Sequence, residues 1–192
     1  MPKHNAIKLT LTRHGQTTEN RDGILQGQTG GHLSTLGISQ AEELRDKLRS
    51  EDYDLILCSD LERTRICAEI INQKMHLPIE YTTLLRERDW GEYTGRLINS
   101  ITIPYTLFPD SIENPQQLAE RAQRFIKYLI DNHQGKRILA IGHGYFNRCI
   151  QALIEQRNVH DTPRWDNTEM RTFSIDSSIL THQCPTDYIV SE

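Results

Sequence analysis

Two of the eight histidines, His14 and His143, each close an apolar run and are each followed by glycine. In an open α/β sheet, ligands bind just beyond the carboxyl ends of the strands, so a titratable ring placed there twice is informative. The glycines permit tight turns and close approach of backbone to a bound group. Arg13 directly precedes His14, and Arg63 falls in the first turn of a candidate helix that follows another apolar run. A guanidinium in either place could meet a phosphate in a bidentate fork, which lysine cannot form. Glu87 stands among Arg86, Arg88 and Asp89, ahead of Gly91 and Gly95. Taken alone, Arg63 reads as a solvated helix residue and Glu87 as a member of a surface ion-pair cluster. The other histidines (His4, His32, His76, His133, His160 and His182) read as surface or hydrogen-bonded structural residues.

Strand-like and helix-like segments alternate along the chain, which predicts an α/β domain with a mainly parallel sheet. Residues 6–12 read as the first strand, and a Gly-, Gln- and Thr-rich loop follows over residues 15–31. Residues 36–49 read as a helix, with Ala41, Leu44 and Leu48 on one face. Residues 54–58 form a short buried strand, with Ser59 or Asp60 as the expected N-cap of the next helix. A strand over 78–81 precedes the segment of the acidic cluster. Residues 97–115 lose all periodicity and carry three prolines, so a loop or lid is expected there. Residues 116–132 are amphipathic, and 137–141 are the clearest buried strand, running into Gly142-His143-Gly144 and another helix. Late strands are expected at 170–175 and 179–181. The pattern implies three layers, a mainly parallel central sheet flanked by helices, with a short cap after the Glu87 segment. The absence of a repeat or linker predicts one domain over residues 1–192.

The combination is more specific than its parts. Arg13-His14-Gly15-Gln16-Thr17, with Asn20 after it, resembles the opening motif of the histidine phosphatase superfamily, which includes phosphoglycerate mutases. Further blocks follow in the same order: Gln26-Gly27 and Leu33-Ser34, then Gly37, Gln40 and Ala41; Ser59-Asp60-Leu61-x-Arg63-Thr64, ending at Ala68; Glu87 with Gly91 and Gly95; and His143-Gly144 with Arg148. A lone Arg-His-Gly is weak evidence, whereas five ordered blocks over most of the chain are strong.

The resemblance implies that His14 is a nucleophile that takes a phosphoryl group onto its ring nitrogen. Arg13, Arg63 and His143 would supply positive charge to the equatorial oxygens. Thr17, Asn20 and the Gly144 backbone N–H would donate hydrogen bonds, with Gln26 and Gly27 as further substrate-binding positions. Glu87 would protonate the leaving oxygen and then activate water, although the sequence leaves open which of Arg86 and Arg88 faces it. No metal or other cofactor is implied. A metal hydrolase using His14, His143 and Glu87 as ligands is disfavoured by the adjacent arginines, which repel a cation. A non-catalytic phospho-ligand module is disfavoured because every matched catalytic position is filled.

Hydrolysis and phosphoryl transfer between hydroxyls share these motifs. The mutase branch looks to use a longer segment with several basic side chains after the acid block, but residues 97–115 contain no Lys or Arg here. They hold Ile98, Ile101, Ile103, Tyr105, Leu107 and Phe108 instead. The expected activity is therefore that of the small-phosphatase branch, with a small phosphorylated substrate or a phosphohistidine on a protein.

Composition fits this reading without carrying it. The 192 residues are 36% hydrophobic and 25% charged, as in ordinary globular proteins. The net charge of -4 argues against broad attraction to nucleic acid or an acidic membrane. No run approaches a membrane span, and residues 1–10 lack a signal-like apolar stretch. The four cysteines, Cys58, Cys67, Cys149 and Cys184, form no C-x-x-C pair. Reduced core thiols and a cytoplasmic location are the expectation.

Overall fold

A computed structural model describes residues 6–104 and 107–181. Five strands form one sheet: β1 (Ile7–Arg13), β2 (Leu55–Ser59), β3 (Ile79–Thr82), β4 (Arg137–Gly142) and β5 (Met170–Ile175), in the order β3-β2-β4-β1-β5. β1, β4, β2 and β3 run parallel, and β5 pairs antiparallel with β1 at one edge. The helices are α1 (Thr18–Arg21), α2 (Thr35–Lys47), α3 (Glu62–Met75), α4 (Pro115–Asn132) and α5 (Gly144–Glu155).

Side-chain alternation explains the three layers. In β2, Leu55 and Leu57 face one core while Ile56 and Cys58 face the other. β4 divides in the same way, Ile138 and Ala140 against Leu139 and Ile141. The period of two gives a sheet apolar on both faces, as parallel sheets between helix layers require. Phe125, Leu129, Phe146 and Ile150 of α4 and α5 close one side; Ala41, Leu44, Cys67 and Ile71 of α2 and α3 close the other. Each fully buried Leu, Ile or Phe contributes roughly 1.5–3 kcal/mol relative to exposure.

Helix starts are set by local chemistry. Thr17 caps α1 through a reciprocal box with Asn20, and Asn114 caps α4 with Gln117, Pro115 taking the first turn. Two expectations differ. Neither Ser59 nor Asp60 caps α3: its N-cap is Leu61, without a side-chain cap bond. Ser59 Oγ meets His143 instead, and the Asp60 carboxylate is held by Arg86 at 2.7 and 2.5 Å. Residues 179–181 lie in a 3-10 turn, Ser177–Thr181, in which Ile179 alone is buried, and among the described residues no strand pairs with them. His4, His182 and Cys184 lie outside the described residues.

The topology makes a crevice. β1 is followed by α2 on one face and its neighbour β4 by α5 on the other, so their carboxyl ends flank a switch point. Arg13 pairs with Gly142 in the parallel register. The residues next along both strands are His14 and His143. Among the described residues, no helix is long and apolar enough to cross a membrane.

Candidate active site

Matching register at the ends of β1 and β4 sets the two rings 5.1 Å apart between centroids, edge to face, and both are buried. The His14 Nδ1–H donates to the Gly15 carbonyl at 2.7 Å. That bond fixes the tautomer and leaves Nε2 with its lone pair bare. Burial first, then the charges of Arg63 and Arg13, holds the His14 ring well below the usual histidine range, so it is neutral.

Backbone contact fixes the loop that carries His14. A Cβ added to Gly15 would lie 2.3 Å from the Gly37 carbonyl oxygen, and one on Gly37 would lie 1.9 Å from that of Gln16. No side chain fits at either position. The start of α2 is thus laid directly on the loop, and Gln40 Oε1 and Cys67 Sγ take the Gln16 and Gly15 N–H groups at 2.8 and 3.2 Å.

Arg63, buried in the first turn of α3, reaches across the crevice. Its Nη1 donates to the carbonyls of Thr29 and Gly30 at 2.7 Å each, Nη2 to Gly27 at 2.8 Å, and Nε to His143 Nδ1 at 3.2 Å. A guanidinium has five N–H groups, so one on Nη2 is left over. The expected two-pronged grip on a phosphate is therefore not open to Arg63; carbonyls of the Gly-rich loop occupy it. Burial lowers Arg63 to about 10, which still leaves it charged at neutral pH.

His143 also differs from expectation. A ring nitrogen that accepts from Arg63 cannot be protonated, so the proton sits on Nε2 and is donated to Ser59 Oγ at 2.9 Å. Burial, then the nearby Arg63 charge, holds His143 well below the usual histidine range. It enters the site as a neutral ring, and the charge comes from the two arginines.

Arg13 is the more open cation. Nη1 donates to the Trp165 carbonyl at 2.8 Å, while Nε is buried without a partner. Gly144 is close by: a Cβ there would be 3.1 Å from Arg13 Nε. The Gly144 N–H, at the start of α5, points no bond at any described residue, whereas the next two N–H groups are taken by Glu87. Glu87 Oε2 accepts from Tyr145 N at 3.2 Å and Oε1 from Phe146 N at 3.1 Å and Arg88 N at 2.9 Å. Neither arginine side chain beside it faces the carboxylate. Arg86 pairs with Asp60, and Arg88 donates through Nε to the Glu113 carbonyl at 2.8 Å, its guanidinium 4.4 Å from the Trp90 ring centroid.

The smaller predicted positions are mostly framework. Thr17 Oγ1 accepts from Asn20 N at 3.0 Å and Gln26 Nε2 at 2.7 Å, leaving its own proton to donate. Asn20 Oδ1 accepts from Thr17 N at 3.3 Å, and its amide NH2 has no partner among the described residues. Gly27 has φ +53° and contributes its carbonyl to Arg63. Arg148 donates to the carbonyls of Thr162 and Val159 at 3.0 and 2.6 Å, bracing the segment after α5.

Several residues of the site have no motif of their own. Asn167 Nδ2 donates to the His14 carbonyl at 3.0 Å, and Thr168, a β-branched residue at φ +58°, brings its N–H to the Arg13 carbonyl at 3.0 Å. Asn147, fully buried, donates to the Thr12 carbonyl at 3.1 Å. Ser59 stands in the second arginine block and reads from sequence as a capping candidate, with nothing to mark it as the partner of His143. Among the described residues, no group of three or more His, Cys, Asp or Glu side chains could hold a metal ion.

A mostly parallel sheet that brings two histidines, two arginines and a carboxylate to one crevice defines a candidate phosphoryl-transfer centre. Residues 9–182 match the model of the Histidine phosphatase superfamily (branch 1), and the chain belongs to that family. It is 30% identical over 161 residues to the Adenosylcobalamin/alpha-ribazole phosphatase of Escherichia coli (strain K12), covering 77% of this chain and 79% of that protein. It is 30% identical over 190 residues to the "Probable phosphoglycerate mutase GpmB" of Salmonella arizonae, covering 92% and 86%. The crystal structure of the Alpha-ribazole Phosphatase from Shigella flexneri superposes with a TM-score of 0.77 at 25% identity, covering 88% and 93%.

Proposed function

We propose that the chain is a phosphomonoesterase that works through a phosphohistidine on His14. The observation that supports it most is the bare Nε2 of His14, fixed by the Gly15 carbonyl beside the unpartnered buried Nε of Arg13. A neutral imidazole held in one tautomer attacks phosphorus in line; the P–O bond to the leaving group breaks as the N–P bond forms. Arg13, the remaining Arg63 N–H and the Gly144 N–H stabilise the equatorial oxygens, with Thr17 and the Asn20 amide as further donors. Glu87, held by the first N–H groups of α5, delivers a proton to the leaving oxygen. In the second step it takes one from water, which cleaves the N–P bond. No step calls for a metal.

Water is the proposed acceptor, and a small phosphorylated molecule the proposed substrate. Residues 97–115 hold no Lys or Arg, and Leu97, Ile98, Ile103 and Leu107 are exposed there, which suits a leaving group with apolar surface. The likeness to a protein named as a probable phosphoglycerate mutase supports the second reading, transfer to another hydroxyl. One assay separates them: the protein is given a panel of phosphorylated metabolites and phosphopeptides in the presence of chelator, and free phosphate is measured beside transferred product. Phosphate release matching substrate loss is expected. Retention of the phosphoryl group on an isomeric product would reverse the assignment.

Glu87→Gln provides a separate test. It should slow esters with poor leaving groups by roughly 10²-fold or more and activated aryl phosphates far less. Equal losses across the series would remove Glu87 from the proton-donor role. The buried free thiols Cys58, Cys67 and Cys149 fit the proposed cytoplasmic setting, in which residues 1–192 act as one domain.

A further inference from the structure

The Glu87 carboxylate is aimed by two sets of bonds, one to its oxygens and one to its backbone. The second set belongs to a pair of residues away from the crevice. Arg121 of α4 and Glu113, just ahead of that helix, form a two-pronged pair, Nε to Oε1 and Nη2 to Oε2 at 2.7 Å each. Their side chains are only 8% and 13% exposed, unlike the surface pairs elsewhere on the molecule. Arg121 spends its other donors on the acid block: Nη1 on the carbonyls of Arg86 and Leu84 at 2.5 and 3.3 Å, Nη2 on that of Glu87 at 3.3 Å. Glu113 holds the other end. Its Oε2 accepts from Asp89 N at 3.1 Å, its N–H donates to the Asp89 carbonyl at 2.9 Å, and its carbonyl accepts from Arg88 Nε at 2.8 Å.

The same guanidinium lies 3.7 Å from the centroid of the Phe146 ring. Phe146 is the residue whose N–H holds Glu87 Oε1. One planar cation therefore touches both the backbone of the acid and the residue that cradles its carboxylate. A lysine offers neither the fork nor the flat face needed for this. We propose that Glu113 and Arg121 are positioning residues for Glu87, setting the distance from its carboxylate to the leaving oxygen without touching substrate. The proposal rests on the reading of Glu87 as the proton donor.

The test compares Arg121→Lys, Glu113→Gln and Glu87→Gln across a series of aryl phosphates of graded leaving-group pKa. Trapped phosphoenzyme reports whether the His14 side of the site is intact. A misplacement of about 1 Å can cost roughly 10²-fold in rate. Both pair variants should lose about that much on the poorest leaving groups and much less on the most activated, with phosphoenzyme still formed. Adding either to Glu87→Gln should cause little further steepening, because the pair acts through that carboxylate. Glu113→Gln keeps the shape of the side chain and remains informative if Arg121→Lys folds poorly. A uniform loss across the series, or additive steepening in the double variants, overturns the positioning role. If Glu87→Gln leaves the series flat, the proton-donor reading fails and takes this proposal with it. If Glu87→Gln steepens the series and the pair variants do not, only the positioning role fails.

Discussion

Replacing His14 by alanine should abolish both turnover and acid-labile phosphate labelling, lowering kcat by ~10⁴-fold or more. No neighbouring group can substitute for the imidazole. His143 has both ring nitrogens engaged, by Arg63 and Ser59, and Cys67 is buried behind the loop with its thiol pushed up to about 11. The variant should still fold, since the Gly15–Gly37 contact and the β1–β4 register do not involve the imidazole. Labelling retained in a folded His14→Ala protein would end the phosphohistidine mechanism. A pH experiment on the parent protein adds a second check. Because His14 titrates well below the usual range, its phosphorylation by an activated ester should persist below the ordinary histidine pKa of about 6.5. The sign for stability is the reverse. His14 and His143 are neutral when folded and take up protons when unfolded, so their contribution is complete above about pH 6.5 and declines as pH falls below it.

Arg63→Met should be damaging twice over. Without the guanidinium, the carbonyls of Gly27, Thr29 and Gly30 and the Nδ1 of His143 lose their donor in a buried place. Stranding that many acceptors should cost about 3 kcal/mol or more, read as a shift of the urea midpoint. Loss of a fixed cation beside the phosphoryl group should lower kcat/KM by roughly 10²–10³-fold in protein that remains folded. Arg13→Met offers the contrast. Among the described residues Arg13 holds one protein acceptor, the Trp165 carbonyl, so activity should fall comparably with a smaller loss of stability. Equal stability of Arg63→Met and the parent would show that the loop does not depend on this residue.

The comparison of these two arginines shows what was legible in the sequence. The apolar runs ending at Arg13-His14 and Gly142-His143 were enough to place each histidine at the carboxyl end of a strand; that the two strands are neighbours depends on sheet order, which periodicity does not carry. Arg63 was recognisable as a participant, but not as a holder of carbonyls: backbone acceptors carry no side-chain signature. The same limit hid Asn167 and Trp165, which grip His14 and Arg13 from more than a hundred residues away. Arg121 did leave a trace. It falls in phase with Leu118, Ala122 and Phe125, within the buried stripe of α4. A charged residue in an apolar phase needs a buried partner, and Glu113, next to the N-cap Asn114, provides it. Ser59 was misassigned because a serine ahead of a helix satisfies capping rules as well as it satisfies a histidine across the crevice.

The segments that wall the crevice, between β3 and α4 and between α5 and β5, are not free appendages. One ends in Glu113, tied to the acid block; the other contains Trp165, Asn167 and the strained Thr168, tied to Arg13 and His14. Loops outside a sheet are usually the interchangeable parts of an enzyme, open to replacement as substrates change. Here such an exchange would reach the chemistry. A new wall that omitted these bonds would alter the aim of Glu87, the proposed proton donor, or the seat of His14, the proposed nucleophile, along with the shape of the pocket. Divergence of preference in this architecture is thereby channelled into residues 97–104, most of which are exposed.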